Sequence, residues 1–161
     1  MERLQSKGTE IQSGDVAEIA TQAASQLSKM TGSSLFVEDT GLWIDQLGGF
    51  PGAYGSYVYA TLGLEGVLRL LEDRPKRDAH FQSAVAYCDA GGEPKVFVGR
   101  LEGIVATTPR GGGGFGFDPI FVPLDSKKTL AEMSLEEKSS VSHRSRALNA
   151  FADWFESQGR L

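Results

Sequence analysis

Residues 80–105 read HFQSAVAYC, then DAGGEP, then KVFVGRLEGIV. The first and third parts predict strands, at about His80–Cys88 and at Lys95–Val105. Ala90-Gly91-Gly92 lies between them and favours a turn, so we expect the two strands to form a hairpin. Helical patterns flank this hairpin on both sides. The order of elements therefore favours an α/β protein with a mixed sheet over a strictly parallel, doubly wound one.

Towards the N-terminus, apolar residues recur at helical spacing from Val16 to Met30, which predicts an amphipathic helix. Asp15 and Glu18 have the spacing of a capping pair at its start. Leu35-Phe36-Val37 is too short for a helix and is predicted to be a buried strand. The carboxyl end of that strand then carries Glu38-Asp39-Thr40-Gly41.

Further along the chain, the Gly and Pro residues at 48–52 predict a loop, and the spacing of leucines predicts a helix over Gly63–Leu71. Ser134 with Glu137 has the spacing of a capping box, and Ser142 is predicted to cap the last helix. The buried face of that last helix is expected to consist of Ala147, Leu148, Phe151, Trp154 and Phe155.

The composition is that of a globular protein: 161 residues, a net charge of −5, 40% hydrophobic and 23% charged residues. Disorder is excluded as the main state, and the acidic balance provides no field for holding nucleic acid. No apolar run is long enough to cross a bilayer, and a single cysteine fits a reducing compartment, so we expect a cytoplasmic protein. No repeat or long linker divides the chain, and residues 1–161 are expected to form one domain.

Two clusters before residue 120 could carry chemistry. Neighbouring side chains on a strand point to opposite faces, so only one of Glu38 and Asp39 can enter a given cleft, as a metal ligand or a general base. The alternative is a solvated pair in a capped turn. Gly111–Gly114 would let backbone N–H groups approach a ligand, and Phe115 beside it offers a stacking face. The alternative here is a loop followed by a core strand.

The third cluster gathers Lys138, His143 and Arg144 around a predicted helix N-terminus. Three donors and the free backbone N–H groups would repel one another there, so an oxygen acceptor, carbonyl or phosphate, would relieve the excess. The alternative is a solvated basic first turn. Zinc is unexpected because the chain has one cysteine and two widely separated histidines, whereas carboxylates suit Mg²⁺ or Mn²⁺.

Five motifs follow one another along the chain: Val37–Leu42, Leu47–Gly52, Phe115–Phe121, Ala131–Met133 and Glu137–Leu148. Together they resemble the inosine triphosphate pyrophosphatase family, which clears deaminated purine nucleotides such as ITP, dITP and XTP. The resemblance extends from about Thr9 to Phe155. Around Tyr57-Val58-Tyr59 it is similar to the archaeal branch.

The resemblance implies a curved mixed sheet with helices on both sides, forming two lobes around a central cleft, in a homodimer. It implies hydrolysis of a purine nucleoside triphosphate to a monophosphate and pyrophosphate, with Mg²⁺ or Mn²⁺ as cofactor and with no nucleic-acid or membrane partner. Hypoxanthine and xanthine carry an oxygen at C6 where adenine carries an amino group. N–H donors in the site would therefore favour the oxopurines.

The resemblance also implies roles for particular residues. Asp39 corresponds to a metal-bound carboxylate and proton acceptor, Glu10 to the other metal-binding acid, and Thr40 to a substrate contact. The base pocket and the further purine contacts correspond to Phe115, Gly116, Phe117, Asp118, Lys138, His143 and Arg144.

The chain departs from the family pattern at its start. The family opens with a strand and an Asn-x-x-Lys turn that grips the triphosphate, and this chain begins after it, with no Asn-x-x-Lys anywhere. Ser139 stands where the family usually has Asn. The alternative to an active pyrophosphatase is therefore a catalytically weak or inactive relative that still binds oxopurine nucleotides. Loss of the first strand would also leave a sheet edge without a partner.

Overall fold

The computed structural model describes residues 11–159 and has the expected α/β architecture, with a five-stranded sheet and helices on both of its faces. The strand order is β2-β1-β3-β4-β5, and every described pairing is antiparallel. The elements are α1 Val16–Thr31, β1 Leu35–Ile44, β2 Pro51–Gly52, α2 Gly55–Leu70, β3 Asp78–Cys88, β4 Lys95–Val105, β5 Phe121–Pro123, α3 Leu135–Val141 and α4 His143–Ser157.

Strands β3 and β4 form the predicted hairpin, which lies at the centre of the sheet. Asp78 pairs with Ile104 at one end of the ladder and Tyr87 with Lys95 at the other. The turn between the strands contains Gly91 in the left-handed region, with φ at +71°. The hairpin thus provides the platform on which the remaining elements pack.

Strand β1 is longer than predicted, because it continues beyond Val37 to Ile44. It pairs residue for residue with β3, from Leu35 opposite Cys88 to Ile44 opposite Ala79. This continuous ladder of hydrogen bonds outweighs the turn-forming tendency of the Thr-Gly pair that follows the carboxylates. The expectation that Glu38-Asp39-Thr40-Gly41 follows the strand is wrong: these residues lie in its middle.

Helix α1 covers one face of the sheet and confirms the predicted amphipathic helix. Its buried Ala20 and Ala24 pack against Ala84 and Ala86 of β3. Asp15 caps the helix by accepting a hydrogen bond from the N–H of Ala17 at 2.8 Å. Because the side chains of both the helix and the strand are small here, α1 lies close to the sheet. The opposite face of the sheet is covered by α4.

Helix α4 covers the opposite face, with Ala147 and Phe151 buried against Val85 and Tyr87 of β3. The predicted buried face is thereby confirmed, and Ser142 caps the helix as expected, accepting from the N–H of Ser145 at 3.1 Å.

The approach of α4 to the sheet requires a glycine at position 99 of β4. A Cβ there would overlap the carbonyl oxygen of His143 and would lie 2.6 Å from the amide nitrogen of Ala147. Gly99 therefore sets how closely the first turn of α4, with its candidate site residues, lies on the strand.

Helix α2 begins at Gly55, eight residues before the predicted start at Gly63. It bends at Gly63, whose φ is +64° and whose backbone is not helical. The second half packs Val67 and Leu68 into the main core, whereas the first half exposes Tyr57. Tyrosine and β-branched residues are weak helix formers, which is why the pattern of the first half did not predict a helix.

One stretch of β1 forms an edge of the sheet. Only Leu42 and Trp43 pair with β2, so within residues 11–159 the stretch 35–41 has no strand partner on the side away from β3. In the same described range, no helix combines the length and apolar character needed to cross a membrane.

Candidate functional site

A cavity of about 270 Å³ opens between β1, the start of α2, the glycine-rich loop (residues 111–117) and the first turn of α4. Its lining brings together five stretches that are separated in the sequence: residues 40–42, 55–59, 81, 115–118 and 143. The lining residues are Thr40, Gly41, Leu42, Gly55, Ser56, Tyr59, Phe81, Phe115, Gly116, Phe117, Asp118 and His143. Six of these were candidate site residues from the sequence: Thr40, Phe115, Gly116, Phe117, Asp118 and His143.

The glycine-rich loop folds around the carboxylate of Asp118, which is 2% exposed. The backbone N–H of Phe115 donates to Oδ2 of Asp118 at 2.7 Å. Gly114 has φ at +73°, and a Cβ there would overlap that same oxygen. The loop is thus a fixed turn that presents the Phe115 ring, 61% exposed, at the mouth of the cavity.

Lys138, from α3, forms a buried ion pair with Asp118. Its Nζ lies 2.5 Å from Oδ2 of Asp118, and the two side chains are 17% and 3% exposed. The same Nζ lies 4.7 Å from the centre of the Phe115 ring, within the range of a cation–π interaction. An ammonium group has three N–H donors, so Lys138 keeps donors for a ligand after binding Asp118.

Arg144, in the first turn of α4, is held by Glu38 of β1. Its Nε and Nη2 donate to Oε2 of Glu38 at 2.8 and 2.6 Å, and its guanidinium lies 5.7 Å from the centre of the Phe115 ring. The prediction of mutually repelling donors at this helix start is therefore wrong. Two carboxylates, Glu38 and Asp118, already offset the charges of Arg144 and Lys138.

His143 is the neutral member of this cluster. It is 4% exposed and stacks on Phe81 with the ring centres 4.6 Å apart. Burial, followed by the positive charges of Lys138, Arg144 and Arg146, lowers the pKa of His143 from 6.5 to about 3. Its buried Nδ1 has no hydrogen-bond partner among the described residues. A neutral imidazole has one donor and one acceptor nitrogen, so His143 can complement either group on a ligand.

Thr40 is joined to Glu38 through a residue that the sequence did not single out, Ser83 of β3. Thr40 Oγ1 donates to Ser83 Oγ at 3.0 Å, and Ser83 Oγ donates to Oε1 of Glu38 at 3.1 Å. Ser83 is completely buried. Residues two apart on a strand share a face, so Glu38 and Thr40 could be placed together from sequence, but Ser83 required the register of β1 against β3.

Asp39 lies on the other face of the sheet from Thr40. It stands opposite Ala84, which packs against α1. The structure thus separates Asp39 from the residues that line the cavity. Glu10, the other expected metal-binding acid, lies outside the described residues. Within the part that is described, no three His, Cys, Asp or Glu side chains form a group that could hold a metal ion.

Comparison with known proteins gives one consistent family. The sequence model of the Ham1 family matches residues 2–154. A dITP/XTP pyrophosphatase of Thermococcus kodakarensis is 49% identical over 145 residues, covering 90% of this chain and 78% of the relative, and one of Methanopyrus kandleri is 46% identical over 155 residues, covering 96% and 82%. Among solved structures, a HAM1 protein from Coxiella burnetii matches with a TM-score of 0.84 at 32% identity, over 92% of this chain and 81% of the other.

Proposed function

Because this chain belongs to the Ham1 family, we propose that it hydrolyses the triphosphates of deaminated purines, ITP, dITP and XTP, to a monophosphate and pyrophosphate. The observation that carries the proposal is the cavity in which Thr40, the segment 115–118 and His143 meet. Relatives named dITP/XTP pyrophosphatases at 46–49% identity support the substrate class.

The dimensions of the cavity suit the base of such a nucleotide. Pockets for whole drug-sized ligands measure roughly 300–1,000 Å³, so a cavity of about 270 Å³ fits a purine ring with the ribose and phosphates outside it. The exposed Phe115 ring at the mouth provides a stacking surface. We therefore place the base in the cavity and the triphosphate beyond it.

Donors beside the cavity, next to the Phe115 ring, favour an oxygen at C6 of the purine. Lys138 keeps N–H groups beyond those that bind Asp118, and Arg144 keeps others beyond those that bind Glu38. The 6-amino group of adenine would meet a donor there instead of an acceptor, which leaves both groups without a hydrogen bond.

Mg²⁺, with Mn²⁺ as the alternative, is the cofactor that we propose, held by Asp39 together with Glu10. Both are carboxylates, the hard oxygen ligands that Mg²⁺ prefers, and Mg²⁺ is commonly bound by one or two carboxylates with water and substrate phosphates. When bound, the ion would neutralise charge on the polyphosphate. Asp39 is also the side chain that we propose to accept the proton of the attacking water.

The proposal is tested by measuring pyrophosphate release from ITP, dITP, XTP and ATP, with Mg²⁺ and with excess EDTA. We expect release from the first three, much less from ATP, and none with EDTA. Asp39→Asn should abolish turnover while keeping IMP binding, and Asp153→Asn, a change at an exposed position of α4, serves as the matched control. Release of orthophosphate instead of pyrophosphate would contradict the proposed reaction.

Binding of IMP without any turnover in the unaltered protein would instead support the weak or inactive relative. The homodimer implied by the family stays a prediction, and sedimentation equilibrium measures it directly.

A further inference from the structure

The hydrogen-bond chain that ends at Thr40 can run in only one direction. The guanidinium of Arg144 only donates and the carboxylate of Glu38 only accepts. The single hydroxyl hydrogen of Ser83 is used on Glu38, so the Ser83 oxygen accepts from Thr40. Thr40 thereby uses its hydroxyl hydrogen inside the protein, and within residues 11–159 that hydroxyl makes no other hydrogen bond. Its hydroxyl presents only oxygen lone pairs to the cavity.

Resting on the proposed function, we propose that Thr40 accepts the N1–H of an oxopurine, and that Ser83 and Glu38 are positioning residues that hold Thr40 in this accepting state. Hypoxanthine and xanthine carry a hydrogen at N1, which matches the lone pairs of Thr40. Adenine carries a lone pair at N1, which would face another lone pair. Guanine shares the N1–H, so this contact separates oxopurines from adenine and not from guanine.

The acceptor at Thr40 complements the donors of Lys138 and Arg144 beside the cavity. A 6-oxopurine has an acceptor at C6 next to a donor at N1, and adenine has the reverse pair. Lys138 and Arg144 supply the donors, while Thr40 supplies the acceptor. Because Ser83 is completely buried, no water replaces its hydroxyl in the chain. The polarity of Thr40 is therefore set by the protein before any ligand arrives.

The substitution Glu38→Gln reverses this polarity with little change of shape. The side-chain carbonyl of Gln must face Arg144, which only donates, so its NH₂ group faces Ser83. Ser83 then accepts from Gln and donates to Thr40, whose hydrogen is released into the cavity. We expect the ratio of kcat/KM for ITP over ATP to fall at least about tenfold. The variant should also prefer ATP over 1-deaza-ATP, which lacks the N1 lone pair, whereas the unaltered protein should not favour ATP, because there that lone pair faces a lone pair of Thr40.

A double-mutant cycle shows whether Ser83 acts through Thr40. Ser83→Ala should lower the ITP-to-ATP ratio in the unaltered protein and should leave it unchanged in the Thr40→Val background. Ser28→Ala is the matched control, because Ser28 is also completely buried and its hydroxyl contacts the carbonyls of Ser33 and Asp89, away from the cavity. It should lower stability and leave the ratio unaltered.

Several outcomes overturn this inference and identify the error. If the unaltered protein favours ITP but Glu38→Gln keeps the same ratio, the polarity of Thr40 does not select the base. If Glu38→Gln changes the ratio of ITP to dITP instead, Thr40 accepts from the ribose. If the unaltered protein shows no preference for ITP in turnover and calorimetry shows no preference for IMP over AMP, the proposed function is wrong. This inference is then wrong as well, because it rests on that function.

Discussion

His143 is buried as a neutral imidazole, so the free energy of unfolding depends on pH between 5 and 7. This range lies above the one in which carboxylates titrate. In the unfolded chain His143 has a pKa near 6.5, and in the folded protein that pKa is lowered to about 3. Below pH 6.5 the unfolded state therefore binds one more proton than the folded state, and the free energy of unfolding falls as the pH falls. Integration from pH 7 to pH 5 gives a loss of about 2 kcal/mol.

The measurement is urea unfolding at pH 7, 6 and 5, compared with the variant His143→Phe. Phenylalanine can stack on Phe81 as His143 does and carries no titratable group. We expect the variant to keep less than half of the pH dependence, because the titrating imidazole is gone. His80→Asn is the control, since burial also lowers the pKa of His80, the other histidine, but that ring is less buried and its variant should keep most of the dependence.

A direct observation of the imidazole completes the test. In the folded protein the NMR signal of the His143 ring should not shift between pH 7 and pH 5. The reasoning is refuted if that signal titrates near pH 6, or if the unaltered protein and His143→Phe lose the same free energy of unfolding over this range.

Two further predictions concern packing and charge. Gly99→Ala should lower the free energy of unfolding by about 2–3 kcal/mol in urea, because its Cβ would meet backbone atoms of α4; Gly112→Ala, with open space around its Cβ, should have almost no effect, and equal effects would contradict this account. Lys138→Met should cost about 3 kcal/mol by thermal or urea unfolding, because it leaves the buried Asp118 carboxylate without its cation. Lys128→Met breaks an exposed ion pair and should cost little, so a similar loss in both variants would show that burial of the pair does not matter.

The elements that sequence predicted well are those in which local pattern and tertiary packing agree. The β3–β4 hairpin and helices α1 and α4 each have an apolar face that the fold buries. The first half of α2 was missed because its own residues have low helix propensity, and tertiary packing, such as the burial of Val58 in the main core, keeps it helical. The length of β1 was missed because long-range pairing with β3, which no local pattern contains, keeps its polar middle extended.

For the site, sequence found the residue types and missed how they are joined. Thr40, His143 and the segment 115–118 were predicted together and do meet at one cavity. Arg144 and Glu38 are 106 positions apart in the sequence, so no spacing rule could predict that the guanidinium is already paired with a carboxylate. Ser83 looked like any small polar residue in a strand, and only the register of two strands gives it a place in the hydrogen-bond chain.

The two ion pairs beside the cavity have a consequence for the response to salt. Lys138 with Asp118 and Arg144 with Glu38 leave the proposed base site close to electrically neutral, and the third side chain of the cluster, His143, is uncharged. Dissolved ions screen charges beyond about 8 Å at physiological ionic strength, so they act weakly on a neutral site and strongly on a bound triphosphate. Affinity for inosine itself should hardly change as sodium chloride is added, whereas affinity for its triphosphate should decline. The preference for an oxopurine over adenine should therefore be the same at high and low concentrations of sodium chloride.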